Sequence, residues 1–231
     1  KQREQEEPRV SARTAISVAL PLAAGVAAAL VLSGCTVFGI RSGTEQPTYT
    51  VVDRLGEAVE IRRYGPRVAA ETTVAAGSER GGRSQAFRKL FDYISGANQA
   101  AARISMTVPV ETAAGTGTRI AMTAPVETGF AGDGVTMRFL LPAAFTAETA
   151  PAPTDPAVRI VSLPETTLAV LRFTGSTGER AVGARQADLA ATLATATWEP
   201  AGTSFAMFYD PPWTLPFLRR NEVAVAVTPR G

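Results

Sequence analysis

The stretch ISMTVPVETAAGTGTRIAMTAPVET, Ile104 to Thr128, states one phrase nearly twice, as Ile-x-Met-Thr-x-Pro-Val-Glu-Thr starting at Ile104 and again at Ile120. The Gly-rich AAGTG between the copies reads as a hairpin-like turn, with ISMTVPV and RIAMTAPVE as strands on either side. Proline has no N–H to give to a ladder, so Pro109 and Pro125 should end or bulge their strands at an edge. In such a pair Met106 and Met122 lie at comparable depth. Together with Met207 they read first as fillers of core gaps, the usual task of a buried methionine.

Outward from this repeat the chain alternates short strands with helices. Before it, YTVVD, VEIRRY and RVAAETTV alternate apolar and polar residues at period two, the mark of a half-buried antiparallel sheet. Next comes SQAFRKLFDYISG, where Phe87, Leu90, Phe91 and Ile94 recur at helical spacing, Ser84 is placed to cap the start and Gly96 to close the end. MRFLLP follows the repeat as a further strand. The same order then returns. VRIVSLPETTLAVLRFTG reads as two strands about a turn, STGERAVGARQADLAATLA as an Ala-rich helix opened by the capping pair Ser176 and Glu179, and SFAMFYD and EVAVAV as strands. The sequence thus predicts an α+β fold: a pseudo-twofold duplication of a β-α-β-β unit, with a twisted, barrel-like antiparallel sheet flanked by two helices. Two such halves bury their apolar sheet faces by curling into one sheet.

Composition bounds the chemistry. The chain has 231 residues, 45% of them hydrophobic and a formal net charge of +2, which suits one ordinary globular domain. Its short basic runs do not track a phosphate backbone, so no nucleic-acid partner is expected. There is no histidine. Ser-His-Asp and Cys-His nucleophile systems are thereby excluded, as are His-bearing zinc sites and His-ligated haem.

From Thr14 to Ile40 no residue is charged, and the run AISVALPLAAGVAAALVL is apolar enough for a secretory h-region or a marginal spanning helix. It closes on Leu32-Ser33-Gly34-Cys35, which resembles a bacterial lipobox, and Cys35 is the only cysteine. Residues 1–35 are therefore expected to be a signal peptide with a lipidation site at Cys35, or else an uncleaved anchor. Residues 36–48 read as a tether, and residues 49–229 as the folded domain. Both versions of the front end place the domain outside the cytoplasm on a membrane, as a periplasmic-facing lipoprotein in the first case.

The body resembles the SOUL haem-binding protein family. The resemblance is carried by EIRRY at Glu60–Tyr64, AFRKLFDYISGAN ending at Asn98, the pair ISMTVPV and IAMTAPV, RFLLP from Arg138, and above all YDPPWTLPFLRRNEV from Tyr209 to Val223. It implies a pseudo-twofold α+β domain with a hydrophobic groove for haem b or a related porphyrin, held non-covalently, and a binding role without catalysis. The implied groove is lined by Phe87, Leu90, Phe91, Ile94, Met106 and Met122, with Arg88 or Lys89 beside the propionates. With histidine absent, an axial iron ligand falls to Met106, Met122 or Tyr209, or to none. The late segment reads as a rigid loop or part of a binding surface, with Arg219, Arg220 and Glu222 in a polar cluster. Other classes are a scaffold or sensor whose groove takes another amphipathic molecule or a peptide, and, well behind it, a carboxylate-pair enzyme using Glu111 and Glu127.

Overall fold

In a computed structural model of the chain, the residues described are 43–75, 78–99, 117–131 and 134–231. The apolar run, Cys35 and the first copy of the repeat, with Met106, Pro109 and Glu111, lie outside them. The elements in order are β1 (Tyr49–Leu55), β2 (Val59–Tyr64), β3 (Arg67–Ala75), α1 (Glu79–Ser95), β4 (Asn98–Gln99), β5 (Val126–Ala131) and β6 (Gly134–Leu140). Then come β7 (Ala152–Pro153), β8 (Val158–Leu163), β9 (Thr166–Phe173), α2 (Glu179–Ala194), β10 (Trp198–Pro200), β11 (Phe205–Phe208), a 3-10 turn (Pro216–Leu218) and β12 (Asn221–Pro229).

The large sheet is antiparallel and runs β1-β2-β9-β12-β11-β5-β6-β3-β8, with β10 on β12 and a separate β4-β7 pair. From β2 to β8 this order is a palindrome: the units β3-α1-β5-β6 and β9-α2-β11-β12 match strand for strand about the central β11-β5 joint. The strand before each unit crosses over. β2 pairs with β9 of the second unit, and β8 pairs with β3 of the first. The duplication predicted from sequence is present, in a strongly curled, barrel-like sheet.

Both helices lie on one face. Under α1, Leu90, Tyr93 and Ile94 pack with Val135, Met137, Phe139 and Val158. Under α2, Val182, Leu189 and Leu193 pack with Ile61, Ala169, Leu171, Val223 and Val225. Leu90 in the first core and Leu189 in the second are 0% and 1% exposed, and burying each stabilises the fold by about 1.5–3 kcal/mol. Strand alternation sends the opposite residues to the inner face, where Tyr64, Leu168, Val170, Met207, Tyr209 and Ala224 form a third cluster.

Three local expectations are corrected. The second copy of the repeat does not form a strand before Val126. Its residues are tied singly to different elements: the Ile120 N–H to the Ile94 carbonyl, the Thr123 hydroxyl to the Leu140 carbonyl, and the Ala124 N–H to the Glu45 carbonyl. Pro125, joined by a cis peptide to Ala124, precedes β5 rather than ending a strand, and β5 pairs with β6. Helix α1 starts at Glu79, not Ser84; Ser78 is the cap, accepting from the Gly81 N–H, while Ser84 sits inside and bonds back to the Arg80 carbonyl. Helix α2 has Gly178 at its N-cap, and Ser176 accepts from the Gly178 N–H at 3.1 Å instead of closing a capping box with Glu179. Gly96 closes α1 as expected, at φ 124°, a region glycine enters without steric cost.

Candidate functional site

Helix α1 turns two of its predicted groove residues inward and two outward. Leu90 and Ile94 are buried in the core beneath it, whereas Phe87 and Phe91 are 39% and 46% exposed. Being one turn apart, the two exposed rings stack, with centroids 5.9 Å apart and planes 14° from parallel. Phe87 is anchored edge-on against the buried Phe139, at 5.3 Å and 65°. Arg88 is exposed beside Phe87 and one turn before Phe91. Lys89 points elsewhere, its Nζ lying 2.6 Å from Asp155 Oδ2. That hydrogen bond, with a second from the Ala157 N–H, holds the Asp155 carboxyl below its ordinary value.

The C-terminal end of α1 is clamped by Asn98. Its Nδ2 donates to the Tyr93 carbonyl at 2.7 Å and to the Thr118 carbonyl at 2.8 Å, and its Oδ1 accepts from the Thr118 N–H at 2.9 Å. The chain is so close here that a Cβ on Gly117 would lie 1.7 Å from the Gly96 carbonyl oxygen. The clamp brings the stretch through Ile120 to the end of α1, and two residues on Met122 is 41% exposed. Met137 and Met207 are buried, at 3% and 1%. Met122 is thus the exposed thioether among the described residues.

On the inner face the sheet carries a row of charges, of which the sequence singles out only Glu127, as one of a carboxylate pair with Glu111, and Glu111 lies outside the described residues. Glu127, Arg138, Glu71 and Arg159 stand in register across β5, β6, β3 and β8. Glu71 takes Arg138 Nε at 2.6 Å and Arg159 Nη2 at 2.7 Å, while Glu127 lies 3.7 Å from both Arg67 and Arg138. Burial pushes the Glu127 carboxyl up, against the pull of these two guanidinium groups. The signal was present in the sequence, as Arg67 and Glu71 in RVAAETTV, Arg138 in RFLLP and Arg159 in VRIVSL, charges within otherwise apolar strands.

The second half has its own cluster. Glu222, fully buried, accepts from Arg62 Nη1 at 2.9 Å, Arg220 Nε at 3.0 Å and Nη2 at 2.8 Å, and the Tyr209 hydroxyl at 2.7 Å. The polar cluster expected of Arg220 and Glu222 is therefore formed. Arg219 instead braces the loop before it, donating to the Thr214 and Pro212 carbonyls at 2.8 and 2.6 Å. Burial and the adjacent Glu222 charge push the Tyr209 hydroxyl far up, so this phenol keeps its proton and is occupied by the carboxylate.

Clefts open on the described surface. One of about 440 Å3 is lined by Arg63, Thr166, Thr167, Trp198, Ala226 and Val227 among others. A smaller one of about 220 Å3 lies over Glu127, Arg138, Thr203 and Phe205. Among the described residues no group of three or more acidic or cysteine side chains is placed to hold a metal ion. A porphyrin asks for something different: a flat apolar surface and a cation for its carboxylates. The stacked Phe87 and Phe91 with Arg88 alongside fit both requirements.

Among solved structures, the C-terminal domain of EcmrR matches with a TM-score of 0.53 at 8% identity, covering 78% of this chain and 98% of that one. A hydrolase from Listeria innocua matches with a TM-score of 0.48 at 11% identity, covering 81% of this chain and 94% of that one. No curated protein matches the chain. At such identities the EcmrR likeness speaks for the fold alone. The match that bears on lineage is to the family described as SOUL heme-binding protein, whose model fits residues 44–226, nearly all of the folded part with its duplicated sheet, its Asn98 clamp and its Arg220-Glu222 cluster. The chain belongs to the SOUL haem-binding protein family.

Proposed function

We propose that this protein is a non-catalytic haem or tetrapyrrole carrier or buffer, tethered outside the cytoplasm by its N-terminal segment. The observation that carries the reading is the exposed Phe87-Phe91 pair of α1 in a chain of a haem-binding family. A helix of a small domain ordinarily turns such rings into the core; here Leu90 and Ile94 fill the core and the phenylalanines remain to meet a flat apolar guest. Arg88 supplies a charge-assisted hydrogen bond to a propionate. Lys89, held by Asp155, does not serve as that cation. Of the side chains proposed as axial ligands, Tyr209 is committed to Glu222, which leaves the Met122 thioether within the described residues. A bound haem would supply its own iron chemistry, and the protein's share is capture and shielding of the macrocycle.

The test is a haemin titration followed through the Soret band, with the Phe87→Ala/Phe91→Ala chain beside the parent. Losing two ring faces is expected to weaken binding by at least tenfold, about 1.4 kcal/mol or more, with the far-UV spectrum unchanged. Equal affinity for both chains would overturn this placement of the guest, and the absence of any Soret change in the parent would overturn the function.

A second reading, a scaffold or sensor for another amphipathic molecule, is favoured by the open 440 Å3 cleft beside Trp198, which mixes Ala226, Val227 and Pro229 with Arg63, Glu165 and three threonines. Mass spectrometry of material copurified from native membranes separates the two, since recovered porphyrin rules for the carrier.

A further inference from the structure

The loop between β11 and β12 exposes an apolar knob that the haem reading does not use. Trp213, Leu215 and Phe217 are 64%, 37% and 68% exposed, and Pro212 and Pro216 between and beside them are exposed as well. The knob is held in place from below. Arg219 donates to the Thr214 and Pro212 carbonyls, the Gly175 N–H donates to the Pro216 carbonyl at 2.9 Å, and Thr214 is buried at 1%. A rigid, charge-free projection of large side chains is unusual on a soluble surface and marks a contact with an apolar phase.

What that phase is follows from where the chain enters the domain. Gln46 Oε1 accepts from Arg220 Nη1 at 3.2 Å, so the segment entering β1 is fastened to the base of this loop. The apolar run ends at Leu32, and Cys35 stands eleven residues before Gln46. Eleven extended residues span at most about 40 Å and the fourteen from Leu32 about 50 Å. On either version of the front end the bilayer therefore stays within reach of the loop. A tryptophan and a phenylalanine flanked by prolines, with the Arg219 guanidinium behind them, have the composition of an interfacial anchor: rings at headgroup depth and a cation at the phosphate level.

We propose that the 211–218 loop is a membrane-docking element whose Trp213, Leu215 and Phe217 enter the outer boundary of the bilayer that holds the N-terminal segment. This rests on the tethered reading above, and not on haem binding. Docking at two points, the anchor and the loop, fixes the domain's orientation instead of letting it swing on its tether.

The chain contains two tryptophans, Trp198 and Trp213, so fluorescence tests the idea directly. The full chain and its Trp213→Phe variant are reconstituted into phosphatidylcholine vesicles with brominated acyl chains, and the difference between the two emissions reports Trp213. Quenching of at least twofold, with a blue shift, is expected for Trp213, whereas Trp198, bonded through Nε1 to Asp53 at 2.8 Å, stays unquenched. In a Phe217→Asp chain the quenching of Trp213 should fall while the protein still floats with the vesicles. A chain that floats with Trp213 unquenched overturns the loop proposal and leaves the tether standing; that result includes cover by a second copy, by a protein partner or by the chain's own N-terminal residues. Failure to float overturns both.

Discussion

The charge of Glu222 illustrates how a single residue can govern a face of the sheet. Its two oxygens are saturated by two guanidinium groups and a phenol, and Arg220 lies over the Tyr209 ring at 3.9 Å. Arg62, only 3% exposed, is further held by Glu60 at 2.8 Å. A buried ion pair contributes little net stability, but removing one member leaves the other desolvated and uncompensated. Glu222→Ala is therefore expected to cost about 3–5 kcal/mol, read as a lower urea midpoint at unchanged slope. An equal midpoint for Glu222→Ala and the parent would show that Arg62 and Arg220 find water or other partners. The RRNE order was visible in the sequence as a polar cluster. Which of the two arginines faces the carboxylate was not, because alternation along β12 fixes the face of Glu222, while the path of residues 209–220 is set by loop carbonyls that no side-chain pattern announces.

Among elements, the two helix starts come together, and their acids interact. Glu79 opens α1 and Glu179 opens α2. Burial foremost, and the Glu179 carboxylate after the opposing pull of Arg83, raise the Glu79 carboxyl above its ordinary value. A raised carboxyl binds its proton more tightly in the folded state, so stability is lost as pH climbs through the unfolded value, near 4.5, towards the folded one. Glu79→Gln is then expected to match the parent below that range and to exceed it in melting temperature above it. A variant less stable than the parent at neutral pH would mean that the Arg83 contact at 3.5 Å outweighs the burial. The sequence misplaced this helix start for a physical reason: Gly81 and Gly82 each cost about 1 kcal/mol relative to Ala in a helix, which favours a start at Ser84. The buried Gly82 and the Ser78 cap outweigh that propensity. Strands are more legible than helix starts, since period-two alternation survives wherever one sheet face is buried. The doubled Met-Thr-x-Pro phrase is the exception, because in its second copy Ile120, Thr123 and Ala124 each bond to a different neighbour and make no ladder.

For the whole molecule, the alternation that identified β2, β3, β8 and β9 gave the face of each strand and could not give its partner. The turns at Gly65-Pro66 and Pro164-Glu165 resemble hairpin links, yet the strands they join separate into opposite halves. Val59 stands opposite Leu171 in one exchanged pair, and Val158 stands opposite Thr72 in the other. Each exchange contributes six residue pairs between the halves, against three at the central β5-β11 joint. Neither half can therefore open without stripping an edge from the other, and the free energy of opening is shared. Unfolding is expected to be a single transition, with calorimetric and van't Hoff enthalpies in a ratio of about 1. Native-state hydrogen exchange should give the central amides of β3 and β9 one common free energy, equal to that of global unfolding. Two exchange classes divided between the units would show that the β5-β11 joint, and not the exchanged strands, holds the molecule together. In that case both clefts, each lined from the two halves, would open and close as the halves move, and a guest lying against α1 would stabilise only the first half.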